Sequence, residues 1–251
     1  MLNRETSEAR SLLEQAVKRV PGDLGLHLLL AETWLEQGDN EQALKILKEY
    51  RKQRPDSELV QQELGILYVK TGHFKDADKV FSALPQRLRT SFVRYAHAQA
   101  LVGLKQPHRA IQQLRLAVQE SPEFVDAWFE LARLLDLEVE AIKHQGARPG
   151  NSQEEQALGK RSVEIVGADH GMNYKKVMRY IRLNSLVPEL LDMTDAKKLG
   201  FMPAVELSYI RPENQRLIAV SIEGEQSSPS VNQAKRLREL DKEGKLNGDV
   251  I

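Results

Sequence analysis

Between Lys160 and Arg182 the chain carries six basic residues, Lys160, Arg161, Lys175, Lys176, Arg179 and Arg182, against two acidic ones, Glu164 and Asp169. Lys175, Arg179 and Arg182 recur at i, i+4 and i+7, so a helix would present them on one face. Val177, Tyr180 and Ile181 would point the opposite way, and Asn173 is a suitable N-cap just upstream. Gly167 and Gly171 lie four apart: the first lets two helices approach, the second makes the turn between them. Helix, tight turn and basic helix is the arrangement that seats one helix in a DNA groove while a neighbour braces it. Its first turn, Asn173, Tyr174, Lys175 and Lys176, would meet base edges. Arg179 and Arg182, with Arg161 and Ser162, would meet phosphates. The residues alone fit a solvated basic face on an ordinary helical hairpin equally well.

Other chemistry finds little to work with. The six histidines (His27, His73, His97, His108, His144, His170) are scattered and none has a metal-ligand spacing. His170, beside the turn, reads as structural or as a phosphate contact. Cysteine is absent, which removes thiolate nucleophiles, thiolate metal sites and disulfides. Acidic residues are spread over helix faces rather than paired. Gly146 to Gly150 lacks the Gly-Lys-Ser/Thr run and preceding strand of a phosphate loop, and no Gly-x-Ser-x-Gly elbow occurs. The expectation is a protein without enzymatic activity, cofactor or metal.

The chain has 251 residues, 36 basic and 36 acidic, so no global field attracts nucleic acid and any such binding must be local. No apolar run approaches the roughly 18–20 residues of a membrane span, and the N-terminus has no apolar segment typical of a secretory signal. The expected location is the cytoplasm, with no membrane partner.

The elements that must position these residues begin with a repeat. Leu24 to Ser57 forms a 34-residue unit with Ala31, Gly38-Asp39, Ala43, Leu47 and Pro55. The next unit, from Glu58, repeats it with Gly65, Tyr68, Gly72, Ala77 and Phe81. A third, from Ser91, gives Ala98, Ala110, Leu114, Ala117 and Pro122, with Lys105-Gln106-Pro107 where Gly-Asp is usual. A fourth opens at Val125 with Trp128, Leu131 and Ala132. This spacing resembles the tetratricopeptide repeat (TPR), a helical hairpin that must stack on its neighbours to bury its face. The array begins in the second helix of a unit and ends near Leu137, where Trp128, Phe129, Leu131, Leu134 and Leu135 need cover. The resemblance implies a peptide groove lined by Leu28, Glu32, Gln62, Ile66, Tyr95, Gln99, Phe129 and Arg133. The Lys/Asn set that clamps a C-terminal carboxylate in chaperone-binding members is missing. Tyr95 and Phe129 also fit simple packing between hairpins.

Residues from about Glu138 to Ile251 resemble the central DNA-binding domain of ParB/KorB-type partition proteins. The likeness rests on Ala141–Gly146, Gly159–Ser162, Arg179–Leu183, Pro188–Met193 and Phe201–Tyr209. It implies double-stranded DNA as a partner, read by the helix-turn-helix. The GERR-type motif that binds CTP in such proteins is absent, as is their dimerisation domain. Met202 stands where these proteins usually place an N-capping Asn, a loss of about 1 kcal/mol. Ser152 with Glu155, and Ser230 with Gln233, are capping-box signatures, and Gly146, Pro149, Gly150 and Asn151 form a loop cluster.

The sequence therefore predicts an all-α chain: a TPR solenoid over 1–137, a linker with a short helix over 138–160, and a helical ParB/KorB-like domain over 161–251. The expected function is sequence-specific DNA binding with the repeats as a protein-interaction platform. The alternatives are a TPR scaffold that binds a peptide or protein, and a fusion of two gene fragments. Whether Trp128, Leu131 and Leu135 are covered distinguishes an accommodated join from a truncated array.

Overall fold

The computed structural model describes residues 2–146 and 152–248, and all regular structure within them is helical. Two compact units emerge, Met1–Ala110 and Ile111–Ile251. The loop residues Pro149, Gly150 and Asn151 lie outside the described residues, as do the side chains of the expected Ser152–Glu155 cap.

The first unit contains α1 (Leu2–Arg19), α2 (Leu24–Glu36), α3 (Asn40–Gln53), α4 (Glu58–Lys70), α5 (Phe74–Ala83) and α6 (Ser91–Gly103). Side-chain oxygens open the helices: Asp23, Asp39, Ser57 and Thr90 each accept from a backbone N–H one turn in. Turns close them in one recurring way. Gly38 N–H donates to Leu35 and Asp39 N–H to Trp34, both at 2.9 Å. Gly72 and His73 repeat the pair with Val69 (3.1 Å) and Tyr68 (2.8 Å). This is the Schellman closure, which needs a left-handed residue, and Gly38 and Gly72 sit at φ 78° and 75°. Lys105 takes the same place at φ 59°, with the same two bonds to Val102 and Leu101.

Helix pairs approach closely where side chains vanish. A Cβ on Gly65 would lie 2.7 Å from the Phe81 ring, which is itself 1% exposed. Around that contact lies a core of Ala43, Leu44, Leu47, Leu64, Ala77 and Leu84. On the same unit, Asp78 meets His97 Nε2 at 2.7 Å and Arg109 Nη2 at 3.0 Å. Burial pushes the His97 imidazole below its ordinary value, against the pull of Asp78. Burial alone would raise Asp78, but hydrogen bonds from Arg109 and His97 bring its carboxyl below the usual range.

The second unit holds α8 (Val125–Gly146), α9 (Ser152–Asp169), α10 (Tyr174–Ile181), α11 (Pro188–Asp195), α12 (Phe201–Leu207), α13 (Pro212–Glu225) and α14 (Val231–Lys242). The preceding helix, α7 (Pro107–Glu120), is divided between the units. The expected linker is mostly helix: α8 runs through Leu137 to Gly146, and α9 begins at Ser152 and continues into the helix-turn-helix. The reason is packing. α8 lies against α9, α10 and α11, and Trp128, Leu131 and Leu135 are buried there. Trp128 stacks on Phe201 at 4.5 Å and 22°, and tilts against Tyr180 at 4.8 Å. The apolar stripe of the fourth repeat is thus covered by the domain that follows it.

Two buried polar side chains fix the later helices. Gln215, 1% exposed, accepts from Val187 N–H and donates to the carbonyls of Ser185 and Ile210. Asp241 accepts from Arg211 N–H (3.2 Å), Arg211 Nε (3.1 Å) and Asn214 Nδ2 (2.5 Å). Burial opposes the charge on Asp241, yet these donors hold its carboxyl below the usual range. The helix at Phe201 starts two residues before Pro203, with Gly200 at its N-cap and no side-chain cap. Met202 therefore sits inside its first turn and projects outward, 43% exposed.

Two measurements check this account. Lys105→Gly removes left-handed strain at an exposed turn and raises unfolding free energy by about 1 kcal/mol in denaturant melts. Both members of the His97–Asp78 pair have folded values below their unfolded ones. Their stabilisation is present above those values and lost on acidification, first below 6.5 for His97, then below 3.8 for Asp78. Denaturant midpoints therefore drop between neutral pH and about pH 5, and His97→Gln flattens that drop.

Candidate functional site

In the first unit, the first helices of the hairpins supply Leu28 and Glu32 from α2, Gln62 and Ile66 from α4, and Tyr95 and Gln99 from α6. Leu28, Gln62, Ile66 and Tyr95 are half-buried, while Glu32 and Gln99 are exposed. A concavity of about 220 Å³ brings Leu28, Glu32 and Ile66 together with Leu35, Glu63 and Lys70. Its wall is apolar and its rim holds two acids and one base. Lys70 Nζ lies 3.6 Å from Glu32 Oε1. Glu63 forms no ion pair among the described residues, and burial raises its carboxyl above the ordinary value, with Lys70 pulling the other way. Neither Glu63 nor Lys70 was singled out in the sequence, although both lie one helical turn from residues that were.

Phe129 and Arg133 belong to the second unit. Phe129 is half-buried on α8. Arg133 is exposed and paired with Glu130, Nη2 to Oε1 at 2.5 Å, so its charge is already answered along its own helix.

The helix-turn-helix region is built as its spacing predicts. Gly171, at φ 60°, closes α9, and Met172 N–H donates to Gly167 O at 2.7 Å. A Cβ on Gly167 would lie 2.8 Å from Met172 O, so only glycine lets the turn fold back. Asn173 caps α10 by accepting from Lys175 N–H at 2.8 Å. Val177 and Tyr180 are buried; Lys175, Lys176 and Arg179 are exposed and Tyr174 half-buried. Arg161 is exposed on α9.

Two of the expected DNA contacts do not reach the surface in that way. Ser162 is 2% exposed, so its hydroxyl is withdrawn from any surface phosphate. Arg182 lies beyond the end of α10, in a tighter 3-10 turn over Arg182–Ser185. Its guanidinium rests over the Tyr209 ring at 5.1 Å, and Arg238 covers the same ring at 3.7 Å while pairing with Glu206 at 3.0 Å. Arg182 still follows the helical spacing, its N–H bonded to Met178 O, but its side chain packs on Tyr209 and so the solvated basic face is Lys175 and Arg179 with Lys176 beside them. His170 is 3% exposed; its Nε2 lies 2.5 Å from Glu138 Oε2, and Arg115 donates to its carbonyl. It ties the end of α9 to α8. No helix among the described residues is long and apolar enough to cross a membrane.

A family model described as tetratricopeptide repeat matches residues 1–62 and 35–102, and a second of that description matches 95–138. Among solved structures, the chain is similar to MamA 41-end from Desulfovibrio magneticus RS-1, at 17% identity and TM-score 0.48, covering 71% of this chain and 89% of that one. It is similar to MamA MSR-1 C2 at 22% identity and TM-score 0.46, with 64% and 90% covered. A third is YrrB, described as a TPR protein with an unusual peptide-binding site, at 18% identity and TM-score 0.42, with 73% and 91% covered. No curated protein matches the chain.

Replacing Arg182 tests its placement over the Tyr209 ring. Arg182→Ala loses the contact with Tyr209 and lowers the melting temperature by a few degrees, on the order of 1 kcal/mol. Arg179→Ala, at the solvated face, leaves the melting temperature unchanged.

Proposed function

The chain belongs to the tetratricopeptide repeat family through residues 1–138, and we propose that it acts as a protein-interaction scaffold whose first unit binds an extended peptide. The observation that carries this reading is the concavity between α2 and α4. It offers Leu28, Leu35 and Ile66 to an apolar side chain, and beside them a partly buried acid, Glu63, that forms no ion pair among the described residues. A partly desolvated carboxylate is stabilised by an incoming cation. The preferred ligand is therefore a peptide in which an apolar residue neighbours a Lys or Arg.

The reading as a duplex-DNA reader is weaker. Ser162 is buried and Arg182 is turned onto Tyr209. What remains is Lys175, Lys176 and Arg179 on one short helix, with Arg161 on another. Specific duplex binding typically buries about 1,000 Å² or more and neutralises several phosphates, which is more than that cluster supplies.

The test is fluorescence anisotropy of a labelled peptide alternating Leu and Lys, with the full chain. Ile66→Asp lowers affinity at least tenfold, and Glu63→Gln lowers it severalfold. With the native chain, binding weakens on acidification before the ordinary glutamate value of 4.5 is reached, because burial raises the Glu63 carboxyl and its protonation removes the charge that holds the cation. Glu63→Gln abolishes this pH dependence. Binding that survives Ile66→Asp unchanged would sink the proposal.

A further inference from the structure

A second groove lies wholly within the second unit. Its floor is the stacked pair Trp128 and Phe201, closed on one side by Tyr180. Met202 and Pro122 form one rim, and Lys175, Lys176 and Arg179 form the other. It is open and holds about 780 Å³, within the range of ligand clefts. We propose that this groove binds an acidic peptide segment: an apolar side chain enters against Phe201 and Met202, and neighbouring carboxylates meet Lys175, Lys176 and Arg179. The site is separate from the concavity in residues 1–110 and does not depend on it.

Charge complementarity carries the argument. Several other cations in this unit are answered by acids: Arg133 by Glu130, Arg211 by Asp241, Arg216 by Glu189, Arg238 by Glu206 and Lys245 by Glu243. Lys175, Lys176 and Arg179 form no ion pair among the described residues, and all three line one groove. Glu123 lines the groove as well, so carboxylates of a ligand are drawn to the α10 rim and repelled from that residue. Met202 adds an exposed apolar side chain at 43%, beside a helix start with no side-chain cap. An unpaired cationic rim over an apolar floor matches a segment that alternates acidic and apolar residues.

The aromatic geometry favours peptide over single-stranded nucleic acid. Base recognition without sequence needs free ring faces on which bases stack, and a basic track along the backbone. Here Trp128 is 8% exposed and its faces are engaged by Phe201 and Tyr180. The cations occupy a turn and a half of one helix rather than a track. An apolar side chain needs only a slot, because its attraction to apolar surface has no preferred direction.

The test uses the full chain carrying Trp34→Phe, which leaves Trp128 as its single tryptophan. The probe is a capped nonapeptide alternating Leu and Glu, titrated against Trp128 emission. A saturable emission change is expected, with affinity that falls as salt rises. The double variant Lys175→Glu/Arg179→Glu, and separately Met202→Glu, each lower affinity at least tenfold while circular dichroism and melting temperature stay unchanged. A nonapeptide alternating Ser and Glu binds at least tenfold more weakly. The proposal is overturned by an absence of saturable binding, by equal affinity for the Ser–Glu peptide, or by an unaffected double variant. Tighter binding of a twelve-nucleotide oligothymidylate would overturn it in favour of a nucleic-acid groove. Ile66→Asp leaves Leu–Glu binding intact, so failure of either site is read independently of the other.

Discussion

Much of this chain turns on how its helices end. At Gly38, Gly72, Lys105, Gly171, Lys197 and Gly244 the backbone enters the left-handed region. There it donates two hydrogen bonds back into the helix just completed, at 2.7–3.1 Å. Each closure satisfies carbonyls that a helix end would otherwise leave bare, and each sets the direction in which the chain leaves. Hairpin angles follow from that direction, and the close contacts at Gly65 and Gly167 follow from the angles. The device is the same in the repeats and in the helices that succeed them.

This constraint explains what was legible in the sequence. Gly38-Asp39 and Gly72 announce their turns because glycine alone enters the left-handed region without strain. Lys105 is marked only by its place in the repeat, where Gly-Asp is usual, and Lys197 by nothing, since the hydrogen bonds that stabilise them are backbone bonds. The buried face of α10 was readable from Val177 and Tyr180, because a period of 3.6 holds while the helix lasts. The same period places Arg182 at the end of that face, but not its contact with Tyr209, which a distant part of the chain supplies. The repeat pattern stops near Leu137, yet α8 continues, because helix formation requires only continued burial. Val139, 2% exposed, supplies it. Glu63 carries no signal in the sequence because its distinction is environmental: partial burial is invisible until the neighbours are placed.

Charge shows the same division between local and global. Equal numbers of acidic and basic residues leave no net field, and most ion pairs here are exposed ones, each worth up to about 1 kcal/mol. Their role is to consume charge. Glu63 in one unit and the α10 cations in the other form no ion pair among the described residues, and each lies next to apolar surface.

The stacking of Trp128 on Phe201 has a consequence for the chain while it is being made. The apolar stripe of α8 leaves the ribosome 73 residues before the ring that covers it. At typical elongation rates of about 5–20 residues per second that interval is roughly 4–15 s. During it the repeats can already have folded, with Trp128, Leu131 and Leu135 still facing water. The nascent chain thus passes through a stage with a sticky end, long enough for a chaperone or another nascent copy to find it. Synonymous changes that slow translation between α8 and α12 would lengthen this window without altering a single residue of the finished protein.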